Sequence, residues 1–227
     1  MVYRRLTTQN ELTYDAPMPV GDIYESILRM ADEVLMPEGF KRAGRCFRRR
    51  MPDGKVRWSI CFQKSRYSTQ DRTKFTFDVY AEWKRRPADY EDWIPHTTWY
   101  GGAGNRIGYL MPKSEDTWWD IDEKTSAPFL GAQIQAVLWS CALPFLRQFE
   151  TEEDIKRYLR AATEGDMKHN YKHALTMLAL DLLENKDQSR IDERIERARF
   201  LGKINLVHKP VIEADIQRVL QRCRTNT

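Results

Sequence analysis

Hydrophobic residues recur along this 227-residue chain at two different spacings, one in the middle of the sequence and the other on either side of it. In the first part, an apolar stripe with spacings of three and four begins after Asp22 and stops at Pro37 and Gly39. Such a stripe is typical of a helix with one buried face, and proline or glycine commonly ends a helix. Its members are Ile23, Ile27, Met30, Val34 and Leu35. The pattern therefore predicts one N-terminal helix.

The pattern then changes to an alternation of apolar and polar residues, as in strands with one buried face. Val56 to Gln63 and Phe75 to Trp83 alternate in this way, and Phe40 to Met51 does so less regularly. Pro52-Asp53-Gly54 is a tight-turn sequence between two of these segments. A further short strand is predicted at Arg106 to Leu110. Together these segments predict an antiparallel meander of at least three strands.

Beyond this region the helical spacing returns and persists to the end of the chain. Pro128 to Leu143 is strongly apolar, and we expect this helix to end at Pro144. Paired capping residues and a proline mark the starts of later helices. These start signals are Thr151 with Asp154, Ser189 with Asp192, and Pro210. The C-terminal part is therefore predicted to be a run of helices.

The order helix, strands, helices predicts an α+β fold, because alternating βαβ units would instead interleave the two types. We expect an N-terminal helix packed on an antiparallel β-meander, followed by a run of C-terminal helices. The predicted domains are an α+β core over residues 1–163 and a helical extension over residues 164–227.

Composition favours a globular protein of a reducing compartment. Charged residues make up 31% of the chain and hydrophobic residues 41%, which is ordinary for such proteins. The cysteines are far apart, form no CxxC pair and are predicted to be buried thiols. They are Cys46, Cys61, Cys141 and Cys223. We see no signal peptide and no stretch approaching a membrane span, so we expect a cytoplasmic protein with no membrane partner.

Positive charge is concentrated in one hairpin. The whole chain carries 37 basic and 33 acidic residues, a net charge of +4. Between Phe40 and Arg66, ten basic residues oppose Asp53 alone, giving 10 − 1 = +9, so the rest of the chain sums to −5. Such a local field attracts an acidic partner and speeds its association. The predicted partner-binding residues are Arg45, Arg48, Arg49, Arg50, Arg57, Lys64 and Arg66.

Two other interpretations of this basic hairpin stay open. Charged residues protect sheet edges from pairing with other chains, so the hairpin could be a solvated edge with no partner. It could also bind the phosphates of a nucleic acid, although the sequence has no helix-turn-helix, RRM, KH or zinc-finger signature.

One pattern suggests catalysis, because it resembles the PD…(D/E)xK arrangement of metal-dependent nucleases. Asp53 and Glu82 would hold Mg²⁺, and Lys84 would assist the attacking water. The spacing is loose, however, and Asp53 already belongs to the predicted turn. A nuclease therefore remains an alternative rather than the favoured function.

Other candidate sites have simpler interpretations. His169 and His173 are four residues apart, as two metal ligands on a helix require, but no third ligand lies nearby in the sequence. "GGAGNRIG" from Gly101 fits no phosphate-binding loop. The acidic residues from Glu115 to Glu123 are interpreted as a partly exposed acidic loop. Aromatic residues of the irregular middle are expected to cap the open end of the sheet: Trp93, Trp99, Tyr100, Trp118 and Trp119. We predict neither a metal nor a cofactor.

An ordered series of short motifs resembles a bacterial family called domain of unknown function 4304. The motifs begin at Gly39 ("GFKRAGRCFRR"), Phe62 ("FQKSR"), Lys74 ("KFTFDVY"), Arg106 ("RIGYL"), Trp118 ("WWDI") and Leu143 ("LPFL"). The resemblance covers roughly Ile23 to Leu159, which leaves the last helices as an extension. It implies no reaction and no catalytic residues. The residues that sit on these motifs include Gln63, Lys64, Ser65, Arg106, Trp118 and Trp119, and a shared motif can serve packing just as well as binding.

We therefore predict a non-catalytic protein-binding module, for example an immunity protein that neutralises a toxin domain by direct binding. The family is similar in character to small bacterial proteins that accompany toxin systems, which is an argument by analogy. A basic surface suits an acidic target, whereas inhibitors of nucleases are usually acidic. Nucleic-acid binding or cleavage through the same hairpin is the alternative.

Overall fold

A computed structural model describes residues 18–83, 102–164, 171–183, 186–204, 207 and 209–225. The elements in chain order are α1 Val20–Leu35, β1 Lys41–Ala43, β2 Cys46–Arg50, β3 Val56–Lys64, β4 Arg72–Trp83, β5 Gly102–Arg106, α2 Ile107–Leu110, β6 Trp119–Asp122, α3 Ala127–Leu146, α4 Glu152–Glu164, α5 Tyr171–Leu183, α6 Gln188–Ile204 and α7 Lys209–Thr225. An N-terminal helix, an antiparallel sheet and a run of helices follow one another. The predicted α+β class is confirmed.

The sheet has six strands, and β1 to β5 lie side by side in sequence order, each antiparallel to the next. This order confirms the predicted meander. The long strand β4 pairs with β5 over residues 78–82 and with β6 over residues 72–75. Two short strands therefore lie end to end along one edge of β4.

The prediction of a strand at Arg106 to Leu110 was wrong in its position. Strand β5 ends at Arg106, and the four residues after it form the helical turn α2. The glycine-rich segment is the strand because β4 approaches it closely. A Cβ atom added to Gly102 would overlap the carbonyl oxygen of Ala81 on β4, so only glycine fits there.

One face of the sheet, here called the inner face, packs against helices. Its alternate residues are fully buried, including Trp58, Ile60, Phe75 and Phe77. They share a single core with buried residues of α1, α3 and α4. The indole N–H of Trp58 donates to the backbone carbonyl of Phe149 at 2.7 Å, which joins β3 to the segment after α3. The other face, here called the outer face, carries the polar residues of the alternation.

Helix α3 continues through Pro144 to Leu146, so the predicted end at Pro144 was wrong. Residues Leu138–Ala142 form a π-helical segment, in which the N–H of Leu143 donates to the carbonyl of Leu138. The wider turn accommodates a proline, which cannot donate a hydrogen bond of its own.

Helix α3 is also long and apolar enough, by length and composition, to cross a membrane. The expectation that no stretch approaches a span was therefore wrong. One such helix is weak evidence for a membrane, because the core helix of a globular domain passes the same test. Here α3 contributes buried residues to the core, and the side chain of Gln135 donates to the backbone carbonyl of Met30 on α1 at 2.8 Å.

The last three helices share a second cluster of buried apolar residues. Met177 of α5 belongs to the first core and so links the two clusters. The predicted cap of α4 is confirmed, because Thr151 and Asp154 exchange hydrogen bonds through their side chains and backbone N–H groups. The cap of α6 is Asp187 rather than Ser189. The domain boundary after residue 163 stays a prediction.

The prediction of buried thiols was wrong for Cys46, Cys61 and Cys141, while the side chain of Cys223 lies outside the described residues. Cys46 and Cys61 face each other on β2 and β3 and form a disulfide, with Cα atoms 4.1 Å apart. Cys141 is free and half-buried. Wide separation in sequence misled the prediction, because the hairpin register brings residues 15 positions apart into direct opposition.

Candidate docking face of the sheet

Strand alternation divides the basic residues of the hairpin between the two faces of the sheet. Arg57 lies on the outer face, since it alternates with Ser59 and Cys61 along β3. Arg48 and Arg50 share that face, because they lie directly opposite Ser59 and Arg57. Arg49 lies on the inner side, opposite Trp58. Residues that form one charged segment in the sequence therefore do not form one charged surface.

The outer-face arginines differ in how they are held. Arg48 and Arg50 are exposed, and among the described residues neither forms an ion pair with a carboxylate. Arg57 is half-buried and donates to the carboxylate of Glu82 on β4, which also lies 3.5 Å from the hydroxyl of Ser59. Arg48 and Arg50 thus carry exposed positive charge, while Arg57 is held in place on the same face.

Two basic residues on the inner side hold the sheet against α1 and its C-terminal turn. The guanidinium of Arg49 lies 5.0 Å from the ring centre of Trp58 and 3.8 Å from Glu38. The ammonium of Lys64 lies 4.1 Å from the ring centre of Tyr24 on α1. Both are cation–π contacts, which explains these two positions without a partner.

Arg45 and Arg66 are exposed but stand apart from the outer face. Arg45 lies near Tyr24, where burial raises the pKa of the tyrosine to about 12 and the charge of Arg45 works to lower it. Arg66 follows β3 at the far end of the hairpin and packs on Tyr67, to which it donates at 2.7 Å.

Two residues of the "FQKSR" motif have different roles. Gln63 is exposed at the end of β3, directly opposite Thr76. Ser65 begins the turn to β4: its backbone N–H donates to Lys74, and its hydroxyl accepts from the N–H of Tyr67 at 3.2 Å. Ser65 therefore has a sufficient structural role in the turn.

A second charged cluster on the outer face surrounds Arg106 at the end of β5. The guanidinium of Arg106 donates to both carboxylate oxygens of Asp116 at 2.8 Å and stacks 5.1 Å from the ring centre of Trp118. Its Nε lies 3.7 Å from Asp78 on β4, the residue opposite it in the register. Asp78 also lies directly opposite Cys61 on β3, so Cys46, Cys61, Asp78 and Arg106 form one row across four adjacent strands.

Burial and ion pairing move the two carboxyl groups of this cluster in opposite directions. Burial raises the pKa of Asp78 to about 6, although the nearby charge of Arg106 works to lower it. Partial burial also works to raise the pKa of Asp116, but hydrogen bonds from Arg106 and Trp118 outweigh it and lower this pKa. Arg106 therefore stabilises the charged form of Asp116 enough to outweigh burial, but not that of Asp78.

The adjacent tryptophans serve opposite faces. Trp119 begins β6, and its ring stacks on Phe75 and Phe77 with ring centres 5.6 Å apart. Trp118 instead stacks on Arg106 of the outer face. The prediction of an exposed acidic loop here was wrong in part, because residues 119–122 form a strand in which Asp120 pairs with Arg72 at 3.0 Å.

The nuclease pattern has partners that explain its described members. Asp53 accepts a hydrogen bond from the backbone N–H of Lys55 within the turn, and Glu82 is bound by Arg57. Lys84 lies outside the described residues. Within the described ranges, no group of three or more His, Cys, Asp or Glu side chains could hold a metal ion.

The remaining sequence candidates fall where the structure gives no description. His169 and the side chain of His173 lie outside the described residues, as do Trp93, Trp99 and Tyr100. Their predicted roles stay predictions.

The chain matches the family described as domain of unknown function DUF4304 over residues 31–148, just over half of its length. It belongs to the DUF4304 family. No curated protein and no solved structure matches it. The match contains the whole sheet and the whole of α3, so the outer face lies within the family domain, and the last four helices follow it.

Sequence reasoning missed Asp78 and Asp116 as parts of the DUF4304 outer face. The signal for Asp78 was present, because alternation in "KFTFDVY" places it among the polar residues of β4. No signal placed Arg106 beside it, since that neighbour depends on the pairing of β4 with β5.

Proposed function

We propose that this DUF4304 protein is a cytoplasmic, non-catalytic binding module whose outer sheet face docks an acidic protein surface. The observation that carries the proposal is the pair of exposed arginines, Arg48 and Arg50, which have no carboxylate partner among the described residues. An immunity protein that covers an acidic surface of a toxin domain would work in this way.

The chemistry of the face favours carboxylates as its target. Arginine presents a planar fork of donors that binds a carboxylate through two hydrogen bonds, and it is enriched at protein interfaces. Arg48 and Arg50 are separated by one residue on a strand, so their side chains leave the sheet on the same side. Trp118, stacked on Arg106, adds a half-buried aromatic group to that side.

The proposal of a non-catalytic role rests on how the acidic residues are held. Glu82 is bound by Arg57, Asp116 by Arg106 and Asp53 by a turn N–H, so these carboxylates are already committed to structural partners. The family description names no reaction either.

The test is a pull-down from lysate of the source organism, with and without nuclease treatment. Wild type runs beside Arg48→Glu/Arg50→Glu and beside a matched control, Arg45→Glu/Arg66→Glu, which makes the same charge change away from the outer face. We expect wild type and the control to retain one stoichiometric protein, resistant to nuclease, that the outer-face variant loses.

Three other outcomes refute this assignment. Loss of the protein in both variants would mean that net charge, rather than the outer face, attracts it. Recovery of nucleic acid, with binding that weakens steeply as salt rises, would favour the phosphate-binding alternative. Equal capture by all three forms would make the arginines a solvated surface.

A further inference from the structure

We propose that Cys46 and Cys61 are a reversible redox pair that exchanges with small thiols while the protein stays folded, and that its state changes the packing of the outer face. The register of β2 and β3 places the two residues directly opposite each other. Their Cα separation of 4.1 Å identifies the closer of the two pair types in an antiparallel sheet, in which the residues exchange no backbone hydrogen bonds. The neighbouring bond from the N–H of Phe62 to the carbonyl of Arg45 agrees with this assignment.

The surroundings of the pair make it accessible. Both cysteines are half-buried rather than enclosed in the core, and they lie on the polar outer face. Reactive cysteines are partly exposed, whereas structural ones are commonly buried and inert. The neighbours in the same face are also polar, with the sulfur of Cys61 3.3 Å from the hydroxyl of Tyr80 and Asp78 opposite Cys61 on β4.

The exchange needs only a low-molecular-weight monothiol as reductant. A thiolate attacks one sulfur of the pair, the bond between the two cysteine sulfurs breaks, and the other cysteine leaves as a thiolate that takes up a proton. A second monothiol releases the first as a small disulfide. In total, two monothiols are oxidised to one small disulfide, and the pair gains two electrons and two protons.

Reduction must alter the outer face, because two free thiols cannot approach each other as closely as two bonded sulfurs. At this close pair position the two side chains have to turn apart. Cys61 adjoins Tyr80, and Tyr80 belongs to the same cross-strand row as Ser59 and Arg48. The disulfide also closes the hairpin that carries Arg48 and Arg50. Any consequence for a partner rests on the proposed function, whereas the thiol chemistry does not.

The experiment incubates the full chain in mixtures of reduced and oxidised glutathione without denaturant. Free thiols are then alkylated and located by peptide mass spectrometry. We expect the bond between Cys46 and Cys61 to open and to re-form as the glutathione ratio is reversed, with the same behaviour in Cys141→Ser. Reduction should also speed amide exchange in peptides from residues 46–61 by on the order of tenfold, while peptides from α6 stay unchanged.

A double variant, Cys46→Ala/Cys61→Ala, serves as a permanently open form. If the double variant fails to fold, the wild-type measurements alone decide the matter. The proposal is overturned if the bond opens only with denaturant, or if each cysteine takes up glutathione without pairing with the other. It is also overturned if the pair opens but amide exchange in residues 46–61 does not change.

The thiol readout separates this proposal from the proposed function. Reversible pairing with no acidic partner found would support the redox pair and contradict the docking role. An acidic partner bound equally well by both redox states would support docking and show that the change in packing does not affect it.

Discussion

Replacing Asp78 by asparagine should stabilise the protein more at neutral pH than in mild acid. Two effects compete at this residue: burial disfavours the carboxylate, and Arg106 at 3.7 Å favours it. Burial is the larger effect and raises the pKa from 3.8 to about 6. The folded state therefore binds this proton more tightly than the unfolded state, so stability falls as the pH rises from about 4 to about 6.

The size of this effect on the free energy of unfolding follows from the rise in the pKa of Asp78. A rise of 6 − 3.8, or about two units, corresponds to about 3 kcal/mol of unfolding free energy. The Asp78 side chain is still 14% exposed, and solvent reduces the cost of its charge, so we expect about 1–2 kcal/mol. The free energy of unfolding of Asp78→Asn, relative to wild type, should therefore rise by this amount from about pH 4 to about pH 7.5.

Urea denaturation followed by far-ultraviolet circular dichroism at the two pH values measures this difference. Asp120→Asn is the matched control, because Arg72 lowers the pKa of Asp120 through a hydrogen bond and its charge. Its carboxylate stabilises the fold above the unfolded pKa and loses that effect as the pH falls, so this control should shift in the opposite direction. An Asp78→Asn difference that is equal at both pH values would show that pairing with Arg106 balances burial, and one that is smaller at neutral pH would show that pairing outweighs burial.

Three further predictions concern stability and use the same denaturation assay at neutral pH. Trp58→Phe should lower the free energy of unfolding by about 2 kcal/mol, because it leaves the buried carbonyl of Phe149 without its donor. A loss below about 0.5 kcal/mol would contradict that hydrogen bond. Arg194→Met should lower the free energy of unfolding by about 3 kcal/mol, since Arg194 forms an ion pair with Asp181 at 2.8 Å and both side chains are only 3% exposed. An unchanged urea midpoint would refute this prediction. Gly108→Ala should lower the free energy of unfolding by about 1–3 kcal/mol, because a Cβ there would overlap backbone atoms of the segment before β6. An unchanged free energy of unfolding would show that this segment can move.

Much of the fold could be predicted because its signals are local. The stripe in α1 and the alternation in β3 and β4 reflect which side of each element is buried, and all three elements lie where the sequence predicts them. Predictions failed where a distant neighbour decided the outcome. Gly102 forms a strand because β4 approaches it, and α3 passes Pro144 through a π-helical segment.

The arrangement of the outer face was predictable only in part for the same reason. The sequence showed that positive charge is concentrated in the hairpin, and alternation could have separated Arg48 and Arg50 from Arg49. It could not show that Arg49 lies over Trp58 or that Lys64 lies over Tyr24, because these contacts depend on how α1 packs against the sheet. The number of available charges is therefore smaller than the sequence suggests.

By itself, the sequence determined the type and order of the elements and the polarity of each strand face. It did so because the period of the apolar residues sets which side of an element is buried. Tertiary structure alone decided the strand register and the approach of distant segments. It brought Cys46 against Cys61 and Arg106 beside Asp78, and it divided the basic residues into exposed and committed ones. The physical reason is that burial preference acts on each residue separately, whereas register and pairing depend on two segments meeting in one geometry.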